Sequence, residues 1–193
     1  MIDIITLGEA LIDFVPTESG QSLANVPGFY KRFGGAPANV AIGLAQLDRN
    51  PGFIGKVGRD SFGQFLEARM EREGVNVDHL YKTDNANTTL AFVSLTEDGE
   101  RDFIFYRDPG ADELLRPEEV DEDYIKEEKI LHFGSLSLTK EESRAATLRS
   151  ISSARDHDLI VSMDPNVRLD LWDKPEKLKN MVLDLLERVE VIK

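Results

Sequence analysis

The chain has 193 residues and a formal net charge of −13 at pH 7, and its 41% hydrophobic and 31% charged residues are typical of a folded domain rather than a disordered chain. The acidic balance argues against a nucleic-acid partner, because phosphate contacts need clusters of Lys and Arg. No apolar run reaches the roughly 20 residues that cross a bilayer, and the N-terminus does not resemble a signal peptide. The sequence also has no cysteine. Together these features predict a cytoplasmic protein with no membrane partner.

Short apolar runs alternate with helical patterns along the chain, which predicts an α/β fold with a mostly parallel sheet. Strands of such a sheet are continuously apolar because helices cover both faces. The predicted core strands are Ile2–Leu7, Phe53–Val57, Ile130–Phe133, Leu159–Met163 and Val189–Ile192.

Three other segments alternate between apolar and polar residues: Leu11–Val15, Thr88–Leu95 and Asp102–Arg107, the last two joined by a turn at Asp98-Gly99. Alternation indicates one covered face and one exposed face. We therefore expect a separate small β-sheet, with strands near residues 11–33 and 88–107, that projects from the parallel sheet.

The helices between the core strands carry end signals. A capping box of Ser61 and Gln64 predicts the start of a helix over Phe62–Glu73, which Gly74 should end. Thr139 and Glu142 predict the start of the next long helix in the same way. The last helix is predicted by an apolar stripe of Leu178, Met181, Val182, Leu185, Leu186 and Val189.

The chain stops at Lys193, directly after a predicted strand. Open α/β sheets bind ligands in the loops beyond the carboxyl ends of their strands. We therefore expect residues 1–193 to be the N-terminal part of a larger domain. The alternative, a naturally short protein, would leave an unpaired sheet edge.

Common nucleotide and metal motifs are absent from the sequence. No G-x-G-x-x-G follows the first strand, and Gly52–Val57 lacks both the spacing and the Ser/Thr of a P-loop. His79, His132 and His157 lack ligand spacing, so we expect surface or packing histidines and no metal site.

The segment Phe33–Ala41 is the most informative for binding. The pair Gly34 and Gly35 allows backbone to approach a ligand, and Pro37 fits the first turn of the helix that follows. Asn39 would lie in that turn, where its amide can both donate to and accept from sugar hydroxyls. A Gly-rich turn in which Asn39 satisfies local backbone is an equally good interpretation.

Two charged residues share strand faces with apolar ones. Asp13 shares a strand face with Leu11 and Val15 in the alternation. It is either a buried carboxylate whose partners are the hydroxyl groups of a polyhydroxy ligand, or an acid at the edge of the sheet. Arg107 follows Phe103 and Phe105, so it is either a ligand-binding group or a rim arginine that covers the aromatic rings.

Polar residues also follow the core strand Leu159–Met163, where α/β sites collect them. The segment Asp164-Pro165-Asn166-Val167-Arg168 is either part of a site or a Pro-Asn turn in which Arg168 pairs with an acid such as Asp170.

Four segments together resemble the motifs of the ribokinase-like (PfkB-type) carbohydrate kinases, and within that family the fructokinases. They are Leu7–Asp13, Gly34–Ala41, Phe53–Gly58 and Asp164–Arg168, in the family's order along the chain. Asp48 departs from the pattern, since the family's first signature usually has Gly or Ser there; we expect this to affect only a helix terminus.

The resemblance implies a three-layer α/β/α sandwich with a small β-sheet lid. It implies ATP- and Mg²⁺-dependent transfer of a phosphoryl group to a primary sugar hydroxyl, by a homodimer that forms through the lids. It assigns Asn166 to the nucleotide site. The implied sugar-binding residues are Asp13, Gly34, Gly35, Asn39, Phe105, Arg107 and Arg168.

The family's second signature, D-T-x-G-A-G-D-x-F, does not occur in the sequence; Asp108–Asp112 resembles it only superficially. That signature carries the catalytic base and the N–H groups that hold developing phosphate charge. We therefore expect most of a sugar pocket, no catalytic residue, and no phosphoryl transfer by the 193-residue chain alone.

The expected substrate of the complete enzyme is fructose, converted to fructose 6-phosphate. One alternative is 2-keto-3-deoxygluconate kinase, whose acidic substrate would use Arg107 and Arg168. The other is a non-catalytic sugar-binding or oligomerising module.

Overall fold

The computed structural model describes residues 3–18, 20–95 and 101–193. In chain order its strands are β1 (Ile4–Leu7), β2 (Leu11–Pro16), β3 (Phe29–Gly34), β4 (Pro51–Gly58), β5 (Asn76–Thr83), β6 (Leu90–Leu95), β7 (Arg101–Tyr106), β8 (Ile130–Gly134), β9 (Ile160–Asp164) and β10 (Val191–Ile192). The α-helices are α1 (Ala36–Gln46), α2 (Ser61–Glu73), α3 (Glu122–Lys126), α4 (Glu141–Asp156) and α5 (Pro175–Leu185), with short 3₁₀ turns between them.

A six-stranded parallel sheet forms the main layer, in the order β10-β9-β8-β1-β4-β5. Every residue of β4 is buried, as the apolar run Phe53–Val57 predicted for a strand covered on both faces. The predicted α/β fold is therefore confirmed. The edge strand β5 was not predicted, because its sequence mixes polar residues with only one buried position, Leu80.

A second, four-stranded sheet has the order β3-β2-β6-β7, with β2 and β6 parallel and the other pairs antiparallel. We call this sheet the lid. The separate small sheet predicted from alternation is thus confirmed. The predicted turn at Asp98-Gly99 lies outside the described residues.

Asp60, and not Ser61, caps helix α2. Its carboxylate accepts hydrogen bonds from the backbone N–H groups of Phe62 and Gly63 at 2.9 and 2.8 Å, and also from the N–H and hydroxyl of Thr88. The predicted Ser61 capping box was therefore wrong by one position. Gly74 ends the helix in the left-handed conformation with φ of 92°, as predicted.

The predicted start of α4 was wrong as well. The helix begins at Glu141, and the Thr139 hydroxyl donates to the carbonyl of Leu136 instead of capping the helix. In α5 the predicted stripe buries Leu178 and Leu185, whereas Leu186 lies beyond the helix end and is 43% exposed.

Asp48 follows the end of α1 with φ of 57°, the left-handed conformation that favours glycine. This agrees with the expectation that the departure at this position concerns a helix terminus. None of the helices formed by the described residues is long and apolar enough to span a membrane.

Candidate functional site

A cavity of about 530 Å³ lies between the lid and the carboxyl edge of the parallel sheet. Its walls come from β2, from the start of α1, from β7, from the loop after β9 and from Lys193, which follows β10. This is where open α/β sheets bind their ligands. The polar and charged side chains in its lining are Glu9, Asp13, Asn39, Asp164, Asn166, Arg168 and Lys193.

The lid contributes a mostly apolar wall. Leu11, Asp13 and Val15 all line the cavity, so the predicted shared face of β2 is confirmed. Phe103 and Phe105 of β7 line it too, with ring centroids 5.9 Å apart. The carboxylate of Asp13 therefore lies among apolar side chains in this wall.

The glycine pair lies between Asp13 and the start of α1. A Cβ atom on Gly34 would be 2.5 Å from the Asp13 carboxylate, so only glycine leaves that carboxylate its place. Gly35 has φ of 100°, and a Cβ there would be 2.3 Å from the carbonyl oxygen of Glu9. Both glycines therefore lie in close contact with other parts of this chain, and of the two only Gly35 belongs to the lining itself. The predicted approach of their backbone to a ligand stays a prediction.

Asn39 is exposed at the cavity in the first turn of α1, where Pro37 is also found. Its backbone N–H donates to the carbonyl of Gly35 at 2.9 Å, within the helix start. The side-chain amide thus faces the cavity from a rigid element. The arrangement favours the binding interpretation of this motif over that of a simple turn.

The loop after β9 supplies a third set of polar groups. Asp164 accepts from the N–H of Asn166 at 2.9 Å and pairs with the Lys193 ammonium at 3.2 Å. The Arg168 guanidinium lies over the Phe103 ring, 4.9 Å from its centroid, which is a cation–π distance. Arg168 therefore joins this loop to the lid across the cavity.

Arg107, by contrast, is not brought to the cavity. Strand β7 ends at Tyr106, so the alternation that placed Arg107 beside Phe105 no longer applies. Its guanidinium is buried and donates to the Asp112 carboxylate at 2.6 and 2.9 Å, to Thr139 and to the carbonyl of Leu136. The side chain ties the end of the lid to the parallel-sheet layer.

Glu9 was missed by the sequence analysis. Glu9 is 2% exposed, and one of its carboxyl oxygens, Oε1, accepts a hydrogen bond from the N–H of Ala36 at 2.9 Å. Burial raises the pKa of Glu9 to about 7, against the opposing effects of the backbone N–H groups of Glu9 itself and of Ala36, and of the charge of Arg107. The only signal for it was its place one residue after Gly8 at the end of β1, in the first motif.

Among the described residues, no group of three or more His, Asp or Glu side chains could hold a metal ion. The histidines have packing roles, as expected: for example, the ring of His79 stacks on that of Tyr124, and Nδ1 of His132 lies 3.0 Å from the Ser162 hydroxyl. What the cavity offers is carboxylates, an amide, cations and aromatic faces, which suit a small polyhydroxy molecule.

Comparison with known proteins gives a matching family model over residues 1–193, described as the pfkB family carbohydrate kinases. A probable fructokinase-4 of Arabidopsis thaliana is 47% identical over 190 residues, which cover 98% of this chain and 58% of the relative. The chain thus spans little more than half the length of this relative.

Solved structures show the same architecture. A fructokinase from Xylella fastidiosa with bound ATP superposes with a TM-score of 0.87 at 36% identity, over 100% of this chain and 61% of that one. A double mutant of the Vibrio cholerae fructokinase with bound fructose, ADP and potassium gives a TM-score of 0.85 at 31% identity, over 99% and 59% of the two chains.

Proposed function

Because this chain belongs to the pfkB family of carbohydrate kinases, we propose that it forms the sugar-binding part of an ATP-dependent fructokinase-like enzyme. The complete enzyme transfers the γ-phosphoryl group of ATP to the primary hydroxyl of a ketose, and its substrate is fructose, which becomes fructose 6-phosphate. The observation that carries the proposal is the cavity in which Asp13, Asn39 and Arg168 meet from three separate elements.

The residues of this chain bind and orient the sugar. The Asp13 carboxylate accepts two hydroxyl hydrogens, and Gly34 leaves it room to do so. Asn39 both donates to and accepts from a further hydroxyl. Phe103 and Phe105 cover the carbon face of the sugar and exclude water from it, which strengthens these hydrogen bonds.

ATP supplies the phosphoryl group when bound, and Asn166 contributes to the adjoining nucleotide site. The described residues have no cluster that fits Mg²⁺ by itself. We place the catalytic base outside residues 1–193, because the second signature of the family does not occur in them. Catalysis in such enzymes rests on positioning and on stabilisation of charge.

A second candidate substrate is 2-keto-3-deoxygluconate. Two cations, Arg168 and Lys193, line the cavity and could hold its carboxylate. Against this, the guanidinium of Arg107 is already bonded to Asp112. A third candidate, a non-catalytic sugar-binding or oligomerising module, is favoured only by the missing second signature.

Assays of the full-length gene product with ATP and a panel of sugars separate the three candidates. We expect the highest kcat/KM with D-fructose. Phosphorylation of 2-keto-3-deoxygluconate alone would establish the second candidate. Sugar binding without turnover of any sugar would establish the third.

We also propose a cytoplasmic homodimer that forms through the lids. The lid face opposite the cavity carries Ile104 and Tyr106, which are 48% and 65% exposed. Phe92 packs beside Tyr106 on this face, with ring centroids 5.4 Å apart. An exposed apolar face of this kind suits contact with a second lid.

A further inference from the structure

Glu9 is a buried acid that the proposed sugar contacts do not use. It follows β1 and lines the cavity, and its residue is 2% exposed. Oε1 accepts from the N–H of Ala36, the first residue of α1. Among the described residues, Oε2 has no hydrogen-bond partner although it is fully buried. An ionised carboxylate with one buried, unpartnered oxygen is costly.

The buried charged groups near Glu9 do not neutralise a negative charge on its carboxylate. Three buried carboxyl groups, those of Glu9, Asp112 and Glu113, lie near one buried guanidinium, that of Arg107. The guanidinium bonds Asp112 directly and lies 3.4 Å from an oxygen of Glu113, so Glu9 receives only its more distant field. The other charged groups of the cavity are Asp13, Asp164, Arg168 and Lys193.

Ionisation of Glu9 would therefore have to be relieved locally. Because Glu9 belongs to the cavity lining, the charged side chain would either draw water from the cavity or rotate into it. Both changes disturb the start of α1, where Oε1 holds Ala36 beside Gly35 and Asn39. A neutral carboxyl keeps the same hydrogen bond through its carbonyl oxygen and leaves the cavity clear.

We propose that Glu9 is a protonation-dependent positioning residue of the sugar cavity: in its neutral form it holds the start of α1 in the sugar-binding shape, and loss of its proton weakens sugar binding. This inference rests on the proposal that the cavity binds a sugar. By linkage, sugar binding above neutral pH must take up a proton. Burial, which raises the pKa of Glu9 to about 7, places this effect between pH 6 and 8.5.

The test is calorimetric titration of the full-length gene product with D-fructose, in pairs of buffers that differ in ionisation enthalpy. If only the neutral form binds, affinity should fall about 25-fold from pH 6.5 to pH 8.5, and about 0.9 proton should be taken up per sugar at pH 8. In Glu9→Gln, whose amide is neutral at every pH, affinity should stay constant and proton uptake should vanish.

Glu113→Gln is the matched control. Glu113 is also buried, but one of its oxygens accepts from the N–H of Gly110, the other faces Arg107, and the residue does not line the cavity. This variant should keep the proton uptake of the wild type. Wild-type affinity that is independent of pH, or equal pH dependence in Glu9→Gln, would overturn the inference.

A second measurement does not depend on which sugar binds. Carboxyl-carbon NMR of the sugar-free protein should show one glutamate titrating near pH 7 that is missing from Glu9→Gln. Titration of Glu9 near pH 4.5, the ordinary value, would overturn the inference. Absence of D-fructose binding at all pH values would contradict the proposed substrate alone, and the calorimetry would then use 2-keto-3-deoxygluconate.

Discussion

Replacement of Arg107 by alanine should lower stability far more than it lowers sugar affinity. The Arg107 side chain is 1% exposed, and its guanidinium donates to Asp112 at 2.6 and 2.9 Å, to Thr139 at 3.0 Å and to the carbonyl of Leu136 at 3.1 Å. Its removal leaves the buried Asp112 carboxylate without its countercharge. Breaking a buried ion pair from one side costs about 3–5 kcal/mol.

Urea denaturation of the full-length gene product measures this loss directly. The double variant Arg107→Ala/Asp112→Ala should lose less than the sum of the two single variants, because the stranded carboxylate is removed with its partner. The KM for D-fructose of folded Arg107→Ala should stay within about threefold of the wild-type value, since Arg107 does not line the cavity.

Arg168→Ala is the matched control, since Arg168 does line the cavity and is only partly buried. It should change stability by less than about 0.5 kcal/mol, as surface substitutions do, while raising the KM for D-fructose. The opposite pattern would refute the reasoning: a stable Arg107→Ala variant with strongly raised KM would make Arg107 a sugar ligand.

Three further predictions concern single positions. Asp60→Ala should lower the free energy of unfolding, measured by urea denaturation, by about 2–4 kcal/mol, because it removes the helix cap and the hydrogen bonds to Thr88. Ser61→Ala should lower it by less than about 0.5 kcal/mol. Burial acts to raise the pKa of Asp60, but the hydrogen bonds from Thr88, Gly63 and Phe62 lower it overall. The stability difference between Asp60→Ala and Ser61→Ala should therefore shrink as the pH falls below 3.8. Equal costs for the two variants would contradict the assignment of Asp60 as the cap. Asp48→Gly should raise the thermal midpoint by relieving φ of 57°, worth about 0.5–1 kcal/mol, and a lower midpoint would contradict this. Ile104→Glu should shift the sedimentation of the full-length gene product from dimer to monomer, and a wild-type monomer at micromolar concentration would remove the lid dimer.

Alternation and motif spacing predicted those parts of the molecule that depend on local geometry. Leu11, Asp13 and Val15 share a face because side chains in a strand point alternately to its two sides. The glycine pair and Asn39 come together because they are adjacent in sequence at a helix start. Such features need no knowledge of distant contacts.

The features that were missed depend on contacts between distant segments or on the exact end of an element. Glu9 is buried by the start of α1, 27 residues away, which no local pattern reveals. The alternation of β7 predicted that Arg107 lies on the same face as Phe105, but the strand ends one residue earlier, at Tyr106. The cap of α2 differs by one position because Asp60 also binds Thr88, 28 residues further on.

The most direct test of the sugar cavity is the binding of D-fructose to wild type and Asp13→Asn, measured by calorimetry without nucleotide. The two oxygens of the Asp13 carboxylate can each accept a hydroxyl hydrogen, whereas the amide of Asn has only one oxygen that accepts. Loss of a charge-assisted hydrogen bond costs about 1.5–3 kcal/mol. Binding should therefore weaken roughly tenfold to a hundredfold, while ATP affinity is unchanged. Equal affinity of the two proteins for fructose would contradict the assignment of the cavity as the sugar site.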